Sequence, residues 1–600
     1  MAIRFRKAAR PFTLLIQCLV LAALTSGAGQ AQTYDPTQLN DASLTRRLFF
    51  SSHNLLTQSE QLEDLLYVAA EHGYNGVVLN DVKLQMYWLN NPTYEANVRR
   101  VAATARSLGM DVIAPAAPFG YSETILRADA NLAAEMPVRD ALFEVRSGRA
   151  APITELDSDP LPGGDFESWS GDAARGGWWF QDSIGNRTRR DNSVKHSGGS
   201  SLRMQYPAGN LRIAKQLKLK PFRMYRMTAW VKTEGFTAAG AVALRTIAND
   251  NGQILTYNPT GVKANQGWTR HDVVFNSLSY EDVNFYFGVW GSGSGRMWVD
   301  DISIEEIGFL NLLRRSRCPL VVRGEGGQVY TEGVDYQRLE DPLGGAGTFP
   351  NVFSSYHDQP VLRVKSGSGI SEGQRLRISY FHTMPVYGWQ TTAALTDPAV
   401  FDVIEDQMRY SERLLSPDGW HLGFDEIRIG NWCDECLANG WTAGETIAQA
   451  VSDTLERLDR VAPGAQIYVW SDMFDPHHNA TAVHHTLNGT AEGSWVTLPA
   501  STIVLNWNHR SPSKSVTWFK SLGMEQVSAG YYDRDPLPSL EWIIDAQTAQ
   551  PDALTGFMYT TWVNGYGRMD DFAKLIWGAP VAVESEPPAR LSPARARTMR

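Results

Sequence analysis

Two acidic residues, Asp425 and Glu426, stand side by side directly after the apolar segment 420–424. Paired carboxyl groups among aromatic side chains suit the cleavage of a glycosidic bond. One acid can protonate the leaving oxygen while a negative group stabilises the oxocarbenium-like transition state. Further polar and aromatic residues follow four later apolar segments, and they are Trp470, Asp472, Asp475, Asn506, Trp507, Asn508, His509, Tyr531, Tyr532, Asp533, Trp562 and Asn564.

The adjacency of the two acids sets a geometric condition. Side chains alternate along a β-strand, so Asp425 and Glu426 would face opposite ways if the strand continued through them. Both can reach one substrate only if extended geometry stops at about Asp425 and the chain bends there. The alternative is a surface pair in which one acid is bridged to Arg428.

Other catalytic chemistries find little support in these residues. No glycine-rich phosphate loop, tight histidine cluster or evident serine nucleophile follows the apolar segments. The pairs His477–His478 and His484–His485 lack the carboxylate spacing of a metal site, so they are expected on loops above the pocket, some of them lining it. Among the last three segments only Asp533 is a candidate direct nucleophile, and a substrate that supplies its own nucleophile removes that requirement.

The elements that must position these residues alternate between strands and helices. Two of the helices are predicted to begin with a capping box, at Thr57 with Glu60 and at Thr442 with Glu445. Strands are predicted at 48–51, 76–80, 111–115, 420–424, 467–472, 503–508, 526–532 and 556–562. The pattern predicts an α/β fold, a (β/α)8 TIM barrel interrupted after its third strand by an all-β jelly-roll module and a small β-rich segment. In such barrels the reacting groups sit at the carboxyl ends of the strands.

The predicted organisation has six parts. They are a signal peptide at 1–31, the first part of the barrel at 32–159, the jelly-roll module at 160–307, the β-rich segment at 308–392, the second part of the barrel at 393–580 and a disordered tail at 581–600. Basic residues near the start, the apolar run Leu14–Leu24 and the small residues before position 32 are typical of a cleaved signal peptide. We therefore expect a secreted or periplasmic protein with no membrane span after cleavage.

The amino-acid composition limits the classes of ligand that the chain is expected to bind. The net charge of −10 disfavours an electrostatic nucleic-acid binder, whereas 19 tryptophans supply flat faces of the kind that pack against sugar rings. Cys433 and Cys436 are expected as a local disulfide or as free thiols, and export favours the disulfide.

The segment His421–Glu426 resembles the H-x-G-G-D-E signature of glycoside hydrolase family 20, the β-N-acetylhexosaminidases, as a distant relative. The resemblance implies substrate-assisted retaining hydrolysis, in which the sugar's own acetamido oxygen attacks the anomeric carbon. Asp425 would orient that group, Glu426 would protonate the leaving oxygen, and Tyr531 or Tyr532 would donate to the acetamido oxygen. The implied substrate-binding residues are His421, Trp470, Asp472, Trp507, Tyr531, Tyr532, Asp533 and Trp562.

The segment 160–307 resembles carbohydrate-binding modules of families 4 and 9. Its matching motifs include Gly164–Glu167, Trp230–Thr233 and Trp298–Ile304. The resemblance implies a jelly roll in which Trp178, Trp179, Tyr286 and Trp290 are candidates for stacking on a glycan, with core packing as the alternative for each. The acidic pair Asp300 and Asp301 permits a structural calcium ion, and no cofactor is expected for catalysis.

Together these features predict an exported glycoside hydrolase acting on a polysaccharide or oligosaccharide that contains 2-acetamido sugars. Two alternatives stay open. One is a glycosidase for other sugars that uses the same acids in different roles, and the other is a non-catalytic glycan-binding protein.

Overall fold

The computed structural model describes residues 44–156, 158–206, 209–531 and 554–578, with only the backbone for Tyr531. The predicted signal peptide, the predicted tail, Tyr532 and Asp533 lie outside these residues. Within the described ranges, no helix is both long enough and apolar enough to cross a bilayer.

The chain begins with three barrel strands and their helices. In chain order they are β1 (Arg46–Ser51), α1 (Ser59–Glu71), β2 (Gly76–Leu79), α2 (Pro92–Ser107), β3 (Asp111–Ala116) and α3 (Glu123–Ala128). The capping box predicted at Thr57 is wrong: the cap of α1 is Gln58, which makes no side-chain cap hydrogen bond. The amide groups of Thr57 and Gln58 both donate to the carbonyl of Asn54, so this segment closes a turn before the helix begins.

After α3 the chain forms a hairpin and then a β-sandwich. The hairpin is β4 (Met136–Arg146) and β5 (Arg149–Pro152). The strands that follow are β6 (Trp169–Ser170), β7 (Ala173–Ala174), β8 (Trp178–Gln181), β9 (Thr188–Asp191), β10 (Ser201–Gln205), β11 (Leu211–Lys218), β12 (Met224–Glu234), β13 (Ala243–Ala248), β14 (Ile254–Pro259), β15 (Gln266–Asn276), β16 (Asp282–Val289) and β17 (Arg296–Ile307). Two antiparallel five-stranded sheets, ordered β15-β12-β17-β10-β9 and β14-β13-β16-β11-β8, enclose an apolar core.

A third sheet lies beside the sandwich. Its later strands are β18 (Val321–Gly324), β19 (Val329–Tyr330), β20 (Leu362–Arg363) and β21 (Arg375–His382). The sheet order is β19-β18-β21-β4-β5-β20, so the hairpin of β4 and β5 completes it. Residues 136–152, predicted as the last part of the first barrel segment, therefore pair outside the barrel, because β4 forms an antiparallel ladder with β21.

The remaining elements return to the barrel. They are α4 (Pro398–Leu415), β22 (Gly419–Leu422), β23 (Ile429–Gly430), α5 (Asp434–Ala438), α6 (Ala443–Val461), β24 (Gln466–Trp470), β25 (Thr486–Leu487), β26 (Ile503–Asn506), α7 (Pro512–Ser521), β27 (Glu525–Tyr531), β28 (Leu554–Thr560) and α8 (Met569–Trp577). The capping box predicted for α6 is confirmed, since Thr442 and Glu445 bond reciprocally. Cys433 and Cys436 form a disulfide, while Cys318 is free and buried.

Eight parallel strands close the barrel in the order β1-β2-β3-β22-β24-β26-β27-β28. The prediction of an eight-stranded barrel with additional β-sheet units is confirmed. Inward-facing side chains such as Phe50, Tyr468 and Leu505 fill the barrel, and a larger apolar layer packs the strands against the helices. All eight strands run the same way, so their carboxyl ends open on one mouth.

Candidate active site

The acid pair lies in a turn just beyond β22. Phe424 is fully buried against Phe119 and Phe474, at ring distances of 4.9 and 6.1 Å, which anchors the chain as it leaves the strand. Glu426 then adopts a φ of +50°, a left-handed conformation that residues other than glycine rarely take. The alternation of an extended strand therefore does not apply to Asp425 and Glu426.

Both acids face the loop that follows β3. The hydroxyl of Tyr121 donates to Oε2 of Glu426. A Cβ atom built on the neighbouring Gly120 would lie 3.5 Å from Oδ1 of Asp425 and would overlap the carbonyl oxygen of Asp425. The two carboxyl groups thus lie beside consecutive residues of one loop, at the same mouth of the barrel.

Glu426 is held as an anion. Its Oε1 pairs with Nη2 of Arg428 at 2.8 Å, and the Arg428 side chain is only 5% exposed. Burial raises the pKa of Glu426, but the Arg428 charge and the hydrogen bond from Tyr121 outweigh it and leave the pKa below its usual value. The bridge to Arg428 that we considered as a surface pair is therefore present, but it is buried within the barrel mouth.

The surroundings of Asp425 favour its neutral form. Burial raises its pKa well above the usual value, and the charges of Asp472 and Glu426 add to the shift. Asp472 is fully buried and its own pKa rises to about 6, chiefly through burial and then through the charge of Glu426. The electrostatics favour Asp425 as the proton carrier, whereas the resemblance implied that role for Glu426.

Asp472 connects this pair to the next strands. Its Oδ2 accepts the backbone N–H of Glu426 and the amide of Asn479, both at 2.9 Å. Its Oδ1 accepts the indole N–H of Trp507 at 3.3 Å, and the ring of Trp507 contacts His478 at 4.3 Å.

Aromatic rings form the inner wall of the mouth. Trp470 lies 5.0 Å from His421 and 6.3 Å from Trp562, and Phe50 lies 4.7 Å from Trp562. Trp562 is 47% exposed, so its face is accessible. Burial lowers the pKa of His421 to about 3, which makes it a neutral ring in the barrel interior. The structure brings five of the eight predicted substrate-binding residues together: His421, Trp470, Asp472, Trp507 and Trp562.

The side chains of the other three predicted residues, Tyr531, Tyr532 and Asp533, are not among those that the structure describes. The backbone of Tyr531 ends β27 and pairs with Thr560 of β28, which places this position at the same mouth. The side chain of Tyr531, together with Tyr532 and Asp533, falls outside the described residues.

Several histidines line the rim of the pocket. The ring of His484 contacts that of His485 at 5.0 Å. Burial lowers the pKa of His478 to about 4 and that of His484 to about 3, so both are neutral at ordinary pH. In the part of the chain that the structure describes, no group of three or more acidic, histidine or cysteine side chains could hold a metal ion.

The predicted stacking residues of the sandwich divide between its two sides. Trp178 packs against the sandwich core, with its ring 5.5 Å from Phe166 and its indole N–H bound to a backbone carbonyl, so its stacking role is corrected to core packing. Trp179 is 55% exposed because the ladder between β8 and β11 shifts register at this point. Tyr286 and Trp290 lie together with Trp179 on the outer face of the sheet β14-β13-β16-β11-β8.

The acidic pair of the sandwich does not fit a calcium ion. The carboxylate of Asp300 accepts the backbone N–H groups of His196 and Ser197, at 2.9 and 3.3 Å. The carboxylate of Asp301 contacts the ring of His196 and accepts the hydroxyl of Ser197. Hydrogen-bond donors occupy these oxygens, so they do not converge on a cation.

Sequence reasoning missed several residues of the pocket. Tyr121 had a signal in the sequence, because it follows the third predicted strand and so belongs with the other residues at strand ends. Gln390 and Tyr387 had none: they lie in the β-rich segment, far from the acids in sequence. Yet Gln390 donates to the carbonyl of Glu426 at 3.1 Å and accepts from Arg428.

The chain matches no protein-family model and no curated protein sequence. Among solved structures, it is similar to a rhamnosidase from Novosphingobium sp. PP1Y at 12% identity and a TM-score of 0.35, over 88% of this chain and 56% of that one. A family 16 carbohydrate-binding module matches 20% of this chain and 87% of its own, at 20% identity and a TM-score of 0.16.

The carbohydrate-binding module TmCBM61, solved in complex with β-1,4-galactotriose, matches 26% of this chain and 99% of its own, at 13% identity and a TM-score of 0.18. The structural neighbours are thus a glycoside hydrolase and carbohydrate-binding modules, and this chain spans about half the length of the rhamnosidase. These similarities assign the chain to no family, and they do not show the resemblance to glycoside hydrolase family 20.

Proposed function

We propose that this chain is a glycoside hydrolase whose barrel mouth cleaves a glycan with Asp425 and Glu426. The observation that supports this most directly is the left-handed turn at Glu426, because it brings to one loop two carboxyl groups whose pKa values are shifted in opposite directions. A neutral acid beside an anion is the pairing that glycosidic cleavage requires.

The geometry supports a different catalytic role for each of the two acids. Asp425 gives its proton to the glycosidic oxygen as the bond from that oxygen to the anomeric carbon breaks. The carboxylate of Glu426, fixed by Arg428 and Tyr121, stabilises the positive charge that develops on the anomeric carbon. Water then adds to that carbon, and its proton passes to the Asp425 carboxylate, which restores the starting state. The aromatic wall of Trp470 and Trp562 holds the sugar ring.

The choice of sugar rests on the resemblance alone. We propose a glycan with 2-acetamido sugars and, from the sequence of residues 1–31, export to the periplasm or the medium. If the acetamido group is the nucleophile, an anionic residue must face it, and the structure favours Glu426 for that position over Asp425.

A panel of aryl glycosides with and without 2-acetamido groups tests this function. Glu426→Gln should lower kcat/KM by about 10²–10⁴-fold, as should Asp425→Asn. Glu525→Gln is the matched control, since Glu525 pairs with Arg46 at the amino end of β27, on the opposite mouth. Inhibition by a thiazoline analogue of N-acetylhexosamine would support the acetamido route.

Two results would count against the proposal. Full activity in both acid variants would show that neither Asp425 nor Glu426 is catalytic. Glycan binding without any hydrolysis by the natural chain would leave the protein as a glycan-binding scaffold.

A further inference from the structure

A row of side chains crosses the outer face of one sandwich sheet from edge to edge. Residues opposite one another in the ladders are Phe180 on β8, Ala214 on β11, Tyr286 on β16, Arg245 on β13 and Tyr257 on β14. Core-facing neighbours such as Leu244 and Phe287 point to the other side, so this row is turned away from the sandwich core. Four strand spacings make the row about 19 Å long.

Two aromatic rings beside this row reach the surface, the exposed Trp179 and the half-buried Trp290. Trp179 is 55% exposed and lies 6.2 Å from Tyr286, which in turn lies 6.0 Å from Trp290. The guanidinium group of Arg245 lies over the rings of both Tyr257 and Trp290, at 4.6 and 5.1 Å. Tyr286 and Arg245 are themselves buried and support the half-buried Trp290, so Trp179 and Trp290 supply the flat apolar faces that can pack against the C–H faces of sugar rings.

The row ends on the barrel. β14 is the edge strand, and the amide of Tyr257 donates to the carbonyl of Val386 at 3.0 Å. The ring of Tyr257 stacks on Tyr387 at 5.5 Å with an interplanar angle of 28°. Gln253 also donates to the carbonyl of Leu487 at 2.9 Å. The sandwich sheet is thus joined by a backbone hydrogen bond to the β-rich segment and by a side-chain hydrogen bond to the loop between β24 and β26 at the barrel mouth.

Tyr387 links the two parts of this surface. It is 43% exposed, and the guanidinium group of Arg428 lies 4.6 Å from its ring centre. Arg428 is the residue that pairs with Glu426. A sugar ring stacked on Tyr387 would therefore lie next to the acid pair and next to Tyr257 at the end of the sandwich row.

We propose that the sandwich face and the barrel mouth form one continuous cleft for a linear oligosaccharide or polysaccharide. The chain lies across Trp179, Trp290 and Tyr387 while one of its bonds meets Asp425 and Glu426. This inference rests on the proposed function and adds to it that the substrate is a chain of several sugars, bound jointly by both parts.

The test uses the full chain with Glu426→Gln, so that bound glycan is not cleaved. Affinity is measured by calorimetry for pentasaccharides of chitin, β-1,4-glucan, xylan and β-1,4-galactan. For the glycan that binds best, Trp290→Ala and Tyr387→Ala should each lower the affinity at least tenfold, and Tyr387→Phe should restore it. The matched control is Trp268→Ala, on a strand of the other sheet, which should leave the affinity unchanged. Thermal unfolding checks that each variant is folded.

The outcomes separate this inference from the proposed function. If Tyr387→Ala binds as tightly as its parent, or if none of the four glycans binds, the continuous cleft is ruled out, even where the natural chain hydrolyses aryl glycosides. If affinity depends on both Trp290 and Tyr387 but the natural chain hydrolyses nothing, the cleft stands and the hydrolase proposal fails.

Discussion

The backbone N–H of Glu426 donates to Oδ2 of Asp472 across 2.9 Å, which ties the ends of β22 and β24 together at the acid pair. The same contact brings a buried carboxyl group close to Asp425 and raises its pKa. Asp472 is thus a positioning residue whose charge adds to the rise that burial causes in the pKa of Asp425.

Asp472→Asn should lower the pKa of Asp425, because one of the two charges that raise it is removed. In a plot of kcat/KM against pH, we expect activity to fall on the alkaline side, because Asp425 loses its proton there. We expect that limb to move to lower pH, with a stability loss of about 1–3 kcal/mol from the altered hydrogen bonds.

The control for this variant is Asp111→Asn, at the amino end of β3 and on the opposite mouth. Its pH profile should match that of the natural chain. An unmoved alkaline limb in Asp472→Asn would contradict the coupling between the two carboxyl groups.

Glu123→Gln should change how stability depends on pH. Burial raises the pKa of Glu123 to about 8 from its ordinary 4.5. A raised folded-state pKa means that the folded protein binds the proton more tightly than the unfolded chain. Stability from this group is full below about pH 4.5 and is lost as the pH rises towards 8. Urea unfolding should therefore show the variant more stable than the natural chain at pH 8, by a few kcal/mol at about 1.4 kcal/mol per pKa unit.

At pH 4 the natural chain and Glu123→Gln should have nearly equal stability, because the carboxyl group is then neutral in both states. The same difference in free energy of unfolding at both pH values would show that Glu123 is not a buried titrating group.

Gly120→Ala tests the steric fit of the loop against the acid pair. The new methyl group would overlap the carbonyl oxygen of Asp425, so either the loop or the turn must move. We expect a stability loss of about 1–3 kcal/mol from this overpacking, and a fall in hydrolysis. Gly267→Ala is the control, because a Cβ atom there meets nothing within 4 Å. Equal melting temperatures for the two variants would show that the loop after β3 can move to accommodate the methyl group at no cost in stability.

Trp178→Ala and Trp179→Ala should differ sharply in stability although the residues are neighbours. Trp178 packs against the sandwich core, so its removal should cost about 3–5 kcal/mol. Trp179 is exposed, and its removal should change the free energy of unfolding by less than about 0.5 kcal/mol. Thermal or denaturant unfolding measures both, and equal losses would contradict the assignment of the two rings to opposite sides.

The barrel was predictable because its strands are short apolar runs whose ends carry polar residues. The fourth strand, predicted at 420–424, is Gly419–Leu422 in the structure, and the bend that the acid pair requires is present at Glu426. The five described pocket residues could be found because they lie at or just after the carboxyl ends of strands that end on one mouth.

What escaped prediction depends on contacts distant in sequence. Nothing local marks Tyr387 or Gln390 as neighbours of Glu426, since their segment reaches the mouth only through tertiary packing. Strict alternation places Trp178 and Phe180 on the same face of the sheet, but the register shift in β8 puts them on opposite faces. The roles of the acids also depend on Arg428 and Asp472 as buried charges, which spacing alone does not show.

The barrel seam between β3 and β22 pairs Ile113 with Gly419. During synthesis β3 cannot pair with β22 until all the intervening β-sheets have been synthesised, because β22 follows them in the chain. Closing so long a loop is slow unless the intervening chain is already compact. A sandwich that folds early would shorten the distance between the two halves of the barrel before they join.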